Sequence, residues 1–89
     1  MIVEFDQSFS KSLDKLKNLK IQHRIEKRIL DLEKAKSLQD VKSLKKLTGF
    51  KKYYRIRIGD YRLGIEQIDE QTIRLIIIAH RKEIYKKFP

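Results

Sequence analysis

The spacing of the apolar residues changes near the middle of the chain, and this change constrains the fold more than any other feature. In the first half these residues recur every three or four positions, as in Ile21, Ile25, Ile29 and Leu32, which is the period of an amphipathic helix. From Tyr53 onward they alternate with polar residues, which is the period of a half-buried strand. The chain therefore predicts an α+β domain in which helices precede an antiparallel sheet.

The first half predicts a short N-terminal strand followed by an α-helical hairpin. Residues 2–5 are mostly apolar and suit a strand, and Asp6 or Ser8 can cap the helix that follows. The expected break between the two helices lies at positions 18–20. Apolar residues continue at roughly helical spacing between positions 41 and 47, which predicts a turn of helix before Gly49.

The second half predicts a β-meander of three strands, over residues 53–58, 61–68 and 72–79. Gly59-Asp60 suits the first tight turn, since glycine adopts a positive φ without a steric clash. Residues 81–88 follow as a short helical segment. The helices are expected to cover one face of the sheet, which holds Ile56, Ile58, Leu63 and Ile65.

The opposite face of this meander displays Arg55, Arg57 and Arg62 on adjacent strands. Three neighbouring guanidinium groups repel one another unless an anion lies between them, and arginine matches phosphate oxygens bidentately. The segment from residue 41 to 59 carries seven basic residues and no acidic one. This bias favours a phosphate chain as the ligand of that face, with Lys45, Lys46, Lys51 and Lys52 as further contacts. The alternative is a solvated basic face without a ligand.

Composition excludes several other classes of protein. The chain of 89 residues carries a net charge of +10 with 40% hydrophobic residues, which predicts one folded domain over residues 1–89 and polyanionic or acidic partners. It has no cysteine, and His23 and His80 lack metal-ligand spacing, so we expect no metal and no cofactor. The longest apolar run, residues 75–79, is too short to span a membrane, and the N-terminus lacks the pattern of a signal peptide. We therefore expect a cytoplasmic protein.

The C-terminal run from His80 to Tyr85 combines an arginine with a phenol. If the run is helical, Arg81 and Tyr85 lie four residues apart on one face. Such a pair suits phosphodiester chemistry, because the arginine neutralises charge at a phosphate while the phenol stacks on a base or donates a proton. The alternative is that Tyr85 packs as an amphipathic cap on the sheet.

These segments together resemble a known group of proteins. The run Leu47-Thr48-Gly49-Phe50, then Tyr54-Arg55-Ile56-Arg57, then Gly59-Asp60-Tyr61-Arg62-Leu63, and finally His80-Arg81-Lys82-Glu83-Ile84-Tyr85 is similar to the RelE/ParE superfamily of toxins from type II toxin–antitoxin pairs. The likeness covers essentially the whole chain and is strongest from Gly49 to the end. It implies a RelE-like single domain.

The RelE branch of this superfamily cuts messenger RNA, typically in the ribosomal A site and without a metal, by attack of a ribose 2′-hydroxyl on the scissile phosphate. The resemblance implies an endoribonuclease (mRNA interferase) whose catalytic residues are Arg55, Arg57, Arg62, Arg81 and Tyr85, with Lys82 as a further RNA contact. Lysines are common at the first two of these positions in the founding toxin, and arginine is a poor general base. His80 is the natural candidate for the general base, because the ordinary pKa of a histidine lies near physiological pH. Strand alternation, however, turns it away from Arg81. Glu66 is a weaker candidate and is expected to pair with Arg62.

The resemblance also implies partners and leaves alternatives open. We expect a cognate antitoxin that is acidic and partly disordered, the 70S ribosome with messenger RNA in its A site, and operator DNA bound by the toxin–antitoxin complex through the antitoxin. The alternative is a ParE-like toxin that inhibits DNA gyrase and has no nuclease activity. A third reading is a catalytically silent relative that binds RNA by charge alone.

Overall fold

A computed structural model describes all residues from Met1 to Pro89. Its elements, in chain order, are β1 (Ile2–Phe5), α1 (Gln7–Asp14), α2 (Leu19–Lys34), a short 3₁₀ turn (Leu38–Asp40), β2 (Leu44–Lys46), β3 (Tyr53–Ile58), β4 (Tyr61–Gln67), β5 (Thr72–His80) and α3 (Ile84–Lys87). The strands form one five-stranded sheet in the order β1-β5-β4-β3-β2. Strand β1 runs parallel to β5, and the other neighbours are antiparallel. The predicted α+β order is confirmed.

Side-chain caps begin both helices of the hairpin. The carboxylate of Asp6 accepts the backbone N–H of Ser8 at 3.0 Å, and the side chain of Asn18 accepts the N–H groups of Lys20 and Ile21. The break predicted at residues 18–20 is therefore the cap of α2. Hydrogen bonds from the Ser8 hydroxyl and then its backbone N–H hold the pKa of Asp6 below its ordinary value.

The main core lies between the helical hairpin and one face of the sheet. Its helical side is the buried stripe Ile21, Ile25 and Leu32, together with Phe9 from α1. Its sheet side includes the four predicted residues, all of which are buried: Ile56, Ile58, Leu63 and Ile65. The helical and strand periods of the sequence thus meet on one surface, as expected.

The turn of helix predicted between positions 41 and 47 is wrong. A 3₁₀ turn ends at Asp40, Ser43 adopts a left-handed conformation with φ of 62°, and residues 44–46 form the edge strand β2. In an extended segment residues three apart face opposite ways. Leu44 accordingly packs on the main core, while Leu47 is buried in a second cluster on the other face of the sheet.

Strand β5 contains a β-bulge at Ile76. Gly64 lies opposite Ile77, but the next residue of β4, Ile65, lies opposite Leu75. The extra residue reverses the direction in which the following side chains of β5 point. Leu75 and Ile78, three positions apart, therefore both face the main core. Two serines of α1 bond to the bulge: the Ser8 hydroxyl lies 2.5 Å from the Ile76 carbonyl oxygen, and Ser12 Oγ accepts the Ile78 N–H at 3.0 Å.

The C-terminal helix α3 packs on the face of the sheet that the hairpin leaves open. Its Ile84 and the following Phe88 are buried against Leu47 and Ala79. Gly64 makes this packing possible, since a Cβ there would lie 2.8 Å from the Phe88 ring. The sequence predicted helices on one face of the sheet only. That prediction is wrong for α3, which covers part of the other face. No helix is long and apolar enough to cross a membrane.

Candidate functional site

A basic cavity opens on the second face of the sheet, beside α3. It has a volume of about 390 Å³ and is lined by residues from β2, β3, β4, α3 and the turn before β2: Ser43, Leu44, Lys45, Arg55, Arg57, Arg62 and Tyr85. We call it the arginine cavity. It brings together four of the six residues predicted to be catalytic and one of the lysines predicted to bind RNA.

The strand register concentrates positive charge in this cavity. Arg57 lies directly opposite Arg62 across β3 and β4, and Lys45 lies directly opposite Arg55 across β2 and β3. Side chains in such pairs start about 5 Å apart at Cβ. The two ion pairs of the protein, Arg28–Asp31 and Glu4–Arg74, lie elsewhere. No carboxylate therefore compensates the cavity, and an anion bound there would relieve the repulsion.

Backbone carbonyls hold the guanidinium of Arg62 in place. Its Nη1 donates to the carbonyl oxygens of Gly59 and Tyr61, both at 2.9 Å. The predicted pairing of Arg62 with Glu66 is wrong: neither residue takes part in an ion pair, because they lie four positions apart along β4, about 13 Å between their Cα atoms. Fixed by uncharged partners, Arg62 keeps its full charge and its remaining N–H donors for a ligand.

Tyr85 lies over Arg55. The guanidinium carbon is 4.5 Å from the centroid of the phenol ring, which is within the range of a cation–π contact. Tyr85 remains 73% exposed, so the residues that cap the sheet are Ile84 and Phe88. The phenol can therefore reach a ligand in the cavity. Beneath it, the buried Nε of Arg55 has no hydrogen-bond partner within the chain.

The structure places Arg81 and His80 outside the arginine cavity. Residues 81–83 form a turn, so the helical spacing expected between Arg81 and Tyr85 is not formed. The Arg81 N–H donates to the Asp60 carbonyl at 2.8 Å, which fixes Arg81 beside the turn between β3 and β4. His80 lies opposite Tyr61 on the face of the helical hairpin, with the two ring centroids 5.5 Å apart.

The other predicted RNA-binding lysines lie apart from this cavity. Lys46 and Lys51 line a shallow depression around Gly49, while Lys52 and Lys82 are exposed elsewhere. No group of three or more histidine, aspartate or glutamate side chains is gathered in a way that could hold a metal ion.

Sequence reasoning missed the register that places Lys45 against Arg55. Strand β2 has only three residues, and a segment of that length shows no measurable alternation. The one signal in the sequence is Ser43 directly before this segment, because serine is a residue type that favours turns. The charge of Lys45 predicts a contact with an anion, but it does not predict the position opposite Arg55.

Comparison with known proteins finds similar sequences that cover most or all of the chain. Residues 3–85 match the family model described as "ParE toxin of type II toxin-antitoxin system, parDE". The chain is 41% identical over 90 residues to Toxin RelE3 of Methanocaldococcus jannaschii, covering the full length of both chains.

Solved structures share the fold. The RelE chain in the RelB-RelE antitoxin-toxin complex from Methanococcus jannaschii is 39% identical, with a TM-score of 0.79 and coverage of 97% of this chain and 99% of that chain. The isolated RelE toxin of E. coli is 22% identical, with a TM-score of 0.70 and coverage of 97% and 92%.

Proposed function

This chain belongs to the ParE toxin family of type II toxin–antitoxin systems, and we propose that it is the toxin of a RelBE-type pair that cleaves messenger RNA. The observation that carries this proposal is the arginine cavity, in which three arginines and a lysine without acidic partners lie beside an exposed tyrosine. Arginine forks bind phosphate oxygens, and a phenol can stack on a base or exchange a proton. The cavity therefore offers what a phosphodiester substrate requires.

The chemistry we propose is attack by a ribose 2′-hydroxyl on the adjacent phosphate. The 2′ oxygen forms a bond to phosphorus, and the bond from phosphorus to the 5′ oxygen breaks. The products are a cyclic phosphate and a free 5′-hydroxyl. Negative charge grows on the phosphate oxygens along this path, and fixed cations such as Arg62 stabilise that charge more than they stabilise the substrate.

This reaction also needs one proton removed from the 2′-hydroxyl and one delivered to the 5′ oxygen. Arginine does not exchange protons near neutral pH, so Arg55, Arg57 and Arg62 act through charge. Among the residues that line the arginine cavity, Lys45 and Tyr85 carry an amine and a phenol, two side-chain types that act as general acids or bases in catalysis. We propose that these two serve the proton transfers, while His80 on the opposite face is a less suitable base.

We further propose that an acidic antitoxin neutralises the protein and that the ribosome presents the substrate. Relatives have been solved as complexes of RelB with RelE, and the net charge of +10 favours an acidic partner as well as ribosomal RNA. Arg81 and the scattered lysines Lys46, Lys51, Lys52 and Lys82 would then contact RNA outside the cavity. Binding of the complex to operator DNA would be a property of the antitoxin.

The experiment is induction of the protein in growing cells, followed by mapping of messenger RNA ends. We expect cleavage with the wild-type chain and a loss of about 100-fold or more with Arg62→Ala, because removal of one fixed donor to a developing anion costs that much. Lys34→Ala is the matched control, since it removes one exposed charge at the end of α2 that does not line the cavity. Growth arrest with intact messages would overturn the nuclease proposal.

Gyrase inhibition is the second candidate, favoured by the ParE name of the matching family model. A supercoiling assay with purified gyrase and the purified chain separates the two activities. Inhibition of supercoiling without RNA cleavage would establish the second candidate. A silent RNA-binding protein would show neither activity, and its toxicity in the Arg62→Ala and Tyr85→Phe variants would fall only in step with RNA affinity.

A further inference from the structure

A second, larger cavity lies between α1, the end of β5 and α3. Its volume is about 520 Å³, and three lysines line it. Lys11 lies in α1, Lys15 follows directly after the end of α1, and Lys87 is the last residue of α3. We call it the lysine cavity. One carboxylate, Glu83, also lines it, but none of these four side chains takes part in an ion pair. The cavity therefore holds a net positive charge without a partner.

The interior of the lysine cavity is partly apolar and partly aromatic. Leu16 and Ile78 contribute aliphatic surface, and the rings of Tyr61 and His80 stand nearly perpendicular to each other at an interplanar angle of 79°. His80 Nδ1 accepts the N–H of Lys82 at 3.2 Å, which leaves Nε2 as the ring nitrogen without a partner in the chain. Aromatic surface combined with nearby cations is the arrangement on which nucleotide bases and phosphates bind.

The two cavities lie at the same end of the sheet and share no lining residue. Tyr61 and Arg62 are successive residues of β4, so one faces the lysine cavity and the other faces the arginine cavity. His80 and Arg81 are likewise successive, and Arg81 is fixed to the turn between β3 and β4. A ligand strand that extends from Arg62 around this turn would therefore meet Arg81 next.

Resting on the function proposed above, we propose that the lysine cavity is a second ribonucleotide-binding subsite, in which lysines hold a phosphate and the pair Tyr61–His80 contacts a base. The competing occupant is an acidic peptide added as a strand to the second half of β5, beyond Leu75, where β1 no longer pairs with it. That edge is partly blocked, because Ser12 Oγ already accepts the Ile78 N–H that a peptide strand would need. The bound nucleotide can be free or part of the substrate strand, since both present the same base and phosphate.

Affinity for a short 2′-O-methylated oligoribonucleotide tests this subsite, because the blocked 2′ position prevents cleavage. We expect Lys11→Gln/Lys15→Gln to weaken binding about 10-fold and to reduce the slope of log affinity against log salt by about 1.4, since each lost contact to a single strand removes about 0.7. Lys27→Gln/Lys34→Gln is the matched control, with the same change of charge on exposed positions of α2, and it should change affinity less than 2-fold. Equal weakening by both variants would overturn the proposal.

NMR titration identifies the occupant. Adenosine 5′-monophosphate or the oligoribonucleotide should shift the ring resonances of Tyr61 and His80 in the wild-type chain, and much less in Lys11→Gln/Lys15→Gln. Shifts with the mononucleotide indicate a free nucleotide, and shifts with the oligomer alone indicate a flanking unit of the strand. Shifts with an acidic peptide but with neither nucleotide would overturn the subsite.

The binding and cleavage measurements distinguish a failure of the subsite proposal from a failure of the nuclease proposal. The blocked oligomer reports binding whether or not the chain cleaves RNA, so absence of cleavage leaves the affinity comparison intact. Wild-type affinity in Lys11→Gln/Lys15→Gln, together with normal messenger cleavage, would refute the subsite alone.

Discussion

Substitution of Gly64 by alanine tests how the C-terminal helix positions the arginine cavity. Gly64 lies in β4 beneath the ring of Phe88, and α3 carries Tyr85 over Arg55. A Cβ at Gly64 would lie 2.8 to 2.9 Å from three atoms of that ring, whereas ordinary contact begins at 3.4 Å. The ring must therefore retreat by about 0.6 Å or leave its site, and α3 must move with it.

Both responses to the added methyl group destabilise the fold. Overpacking of a filled core costs about 1–3 kcal/mol, and release of a buried phenylalanine costs about 1.5–3 kcal/mol. Alanine recovers about 0.5–1 kcal/mol because it restricts the unfolded chain more than glycine does. We expect a net loss of about 1–2 kcal/mol in the free energy of unfolding. We also expect cleavage to fall about 10-fold, since misplacement of a catalytic group by 1 Å can cost up to about 100-fold.

The assay is urea unfolding combined with cleavage of messenger RNA in the same variants. Phe88→Leu removes the ring atoms that collide with the new methyl group, so it should restore part of the stability and cleavage lost in Gly64→Ala. We expect a coupling free energy of at least about 1 kcal/mol between the two positions. Strictly additive effects, or a Gly64→Ala variant with wild-type stability and cleavage, would refute the packing argument.

Three further predictions concern the helical hairpin. Ser12→Ala should lower the free energy of unfolding by about 1–3 kcal/mol, because the Ile78 N–H at the bulge loses its acceptor; unchanged urea midpoints would contradict this. Asn18→Ala should cost about 1 kcal/mol by removing the cap of α2, whereas Asn18→Asp should be nearly neutral, as judged by thermal unfolding. The pKa of Asp6 is lowered in the folded state by the bonds from Ser8, so its carboxylate stabilises the fold above the ordinary pKa of 3.8, and this stabilisation is lost as pH falls through the lower folded pKa. Unfolding measured between about pH 5 and pH 2 should therefore show a smaller acid dependence in Asp6→Asn than in the wild-type chain; parallel curves would contradict it.

Local sequence patterns predicted the parts of the fold that depend on neighbouring residues. The stripe from Ile21 to Leu32 and the break between the helices at positions 18–20 depend only on the spacing of apolar residues along one segment. The alternation from Tyr53 to Ile58 likewise determines which face Arg55 and Arg57 occupy, and it does so without any tertiary contact. The chemistry of the arginine cavity was predictable to the same extent, because strand alternation alone separates arginines from isoleucines.

Tertiary contacts decided what local patterns leave open. Four consecutive apolar residues, from Leu75 to Ile78, carry no alternation, so only the bulge shows which face each one takes. Bonds to that bulge come from Ser8 and Ser12, which are more than 60 residues away along the chain. The bulge places His80 on the face of the helical hairpin, away from the arginines.

The sequence by itself thus determined which charges this protein carries and the face of the sheet on which the arginines lie. Only the tertiary structure decided which of them meet: Lys45 reaches Arg55 through an edge strand of three residues, and Tyr85 reaches it because Gly64 leaves room for Phe88. The physical reason is that periodicity fixes the direction of a side chain along its own element. Register, bulges and close packing depend on hydrogen bonds and contacts between residues far apart in the chain.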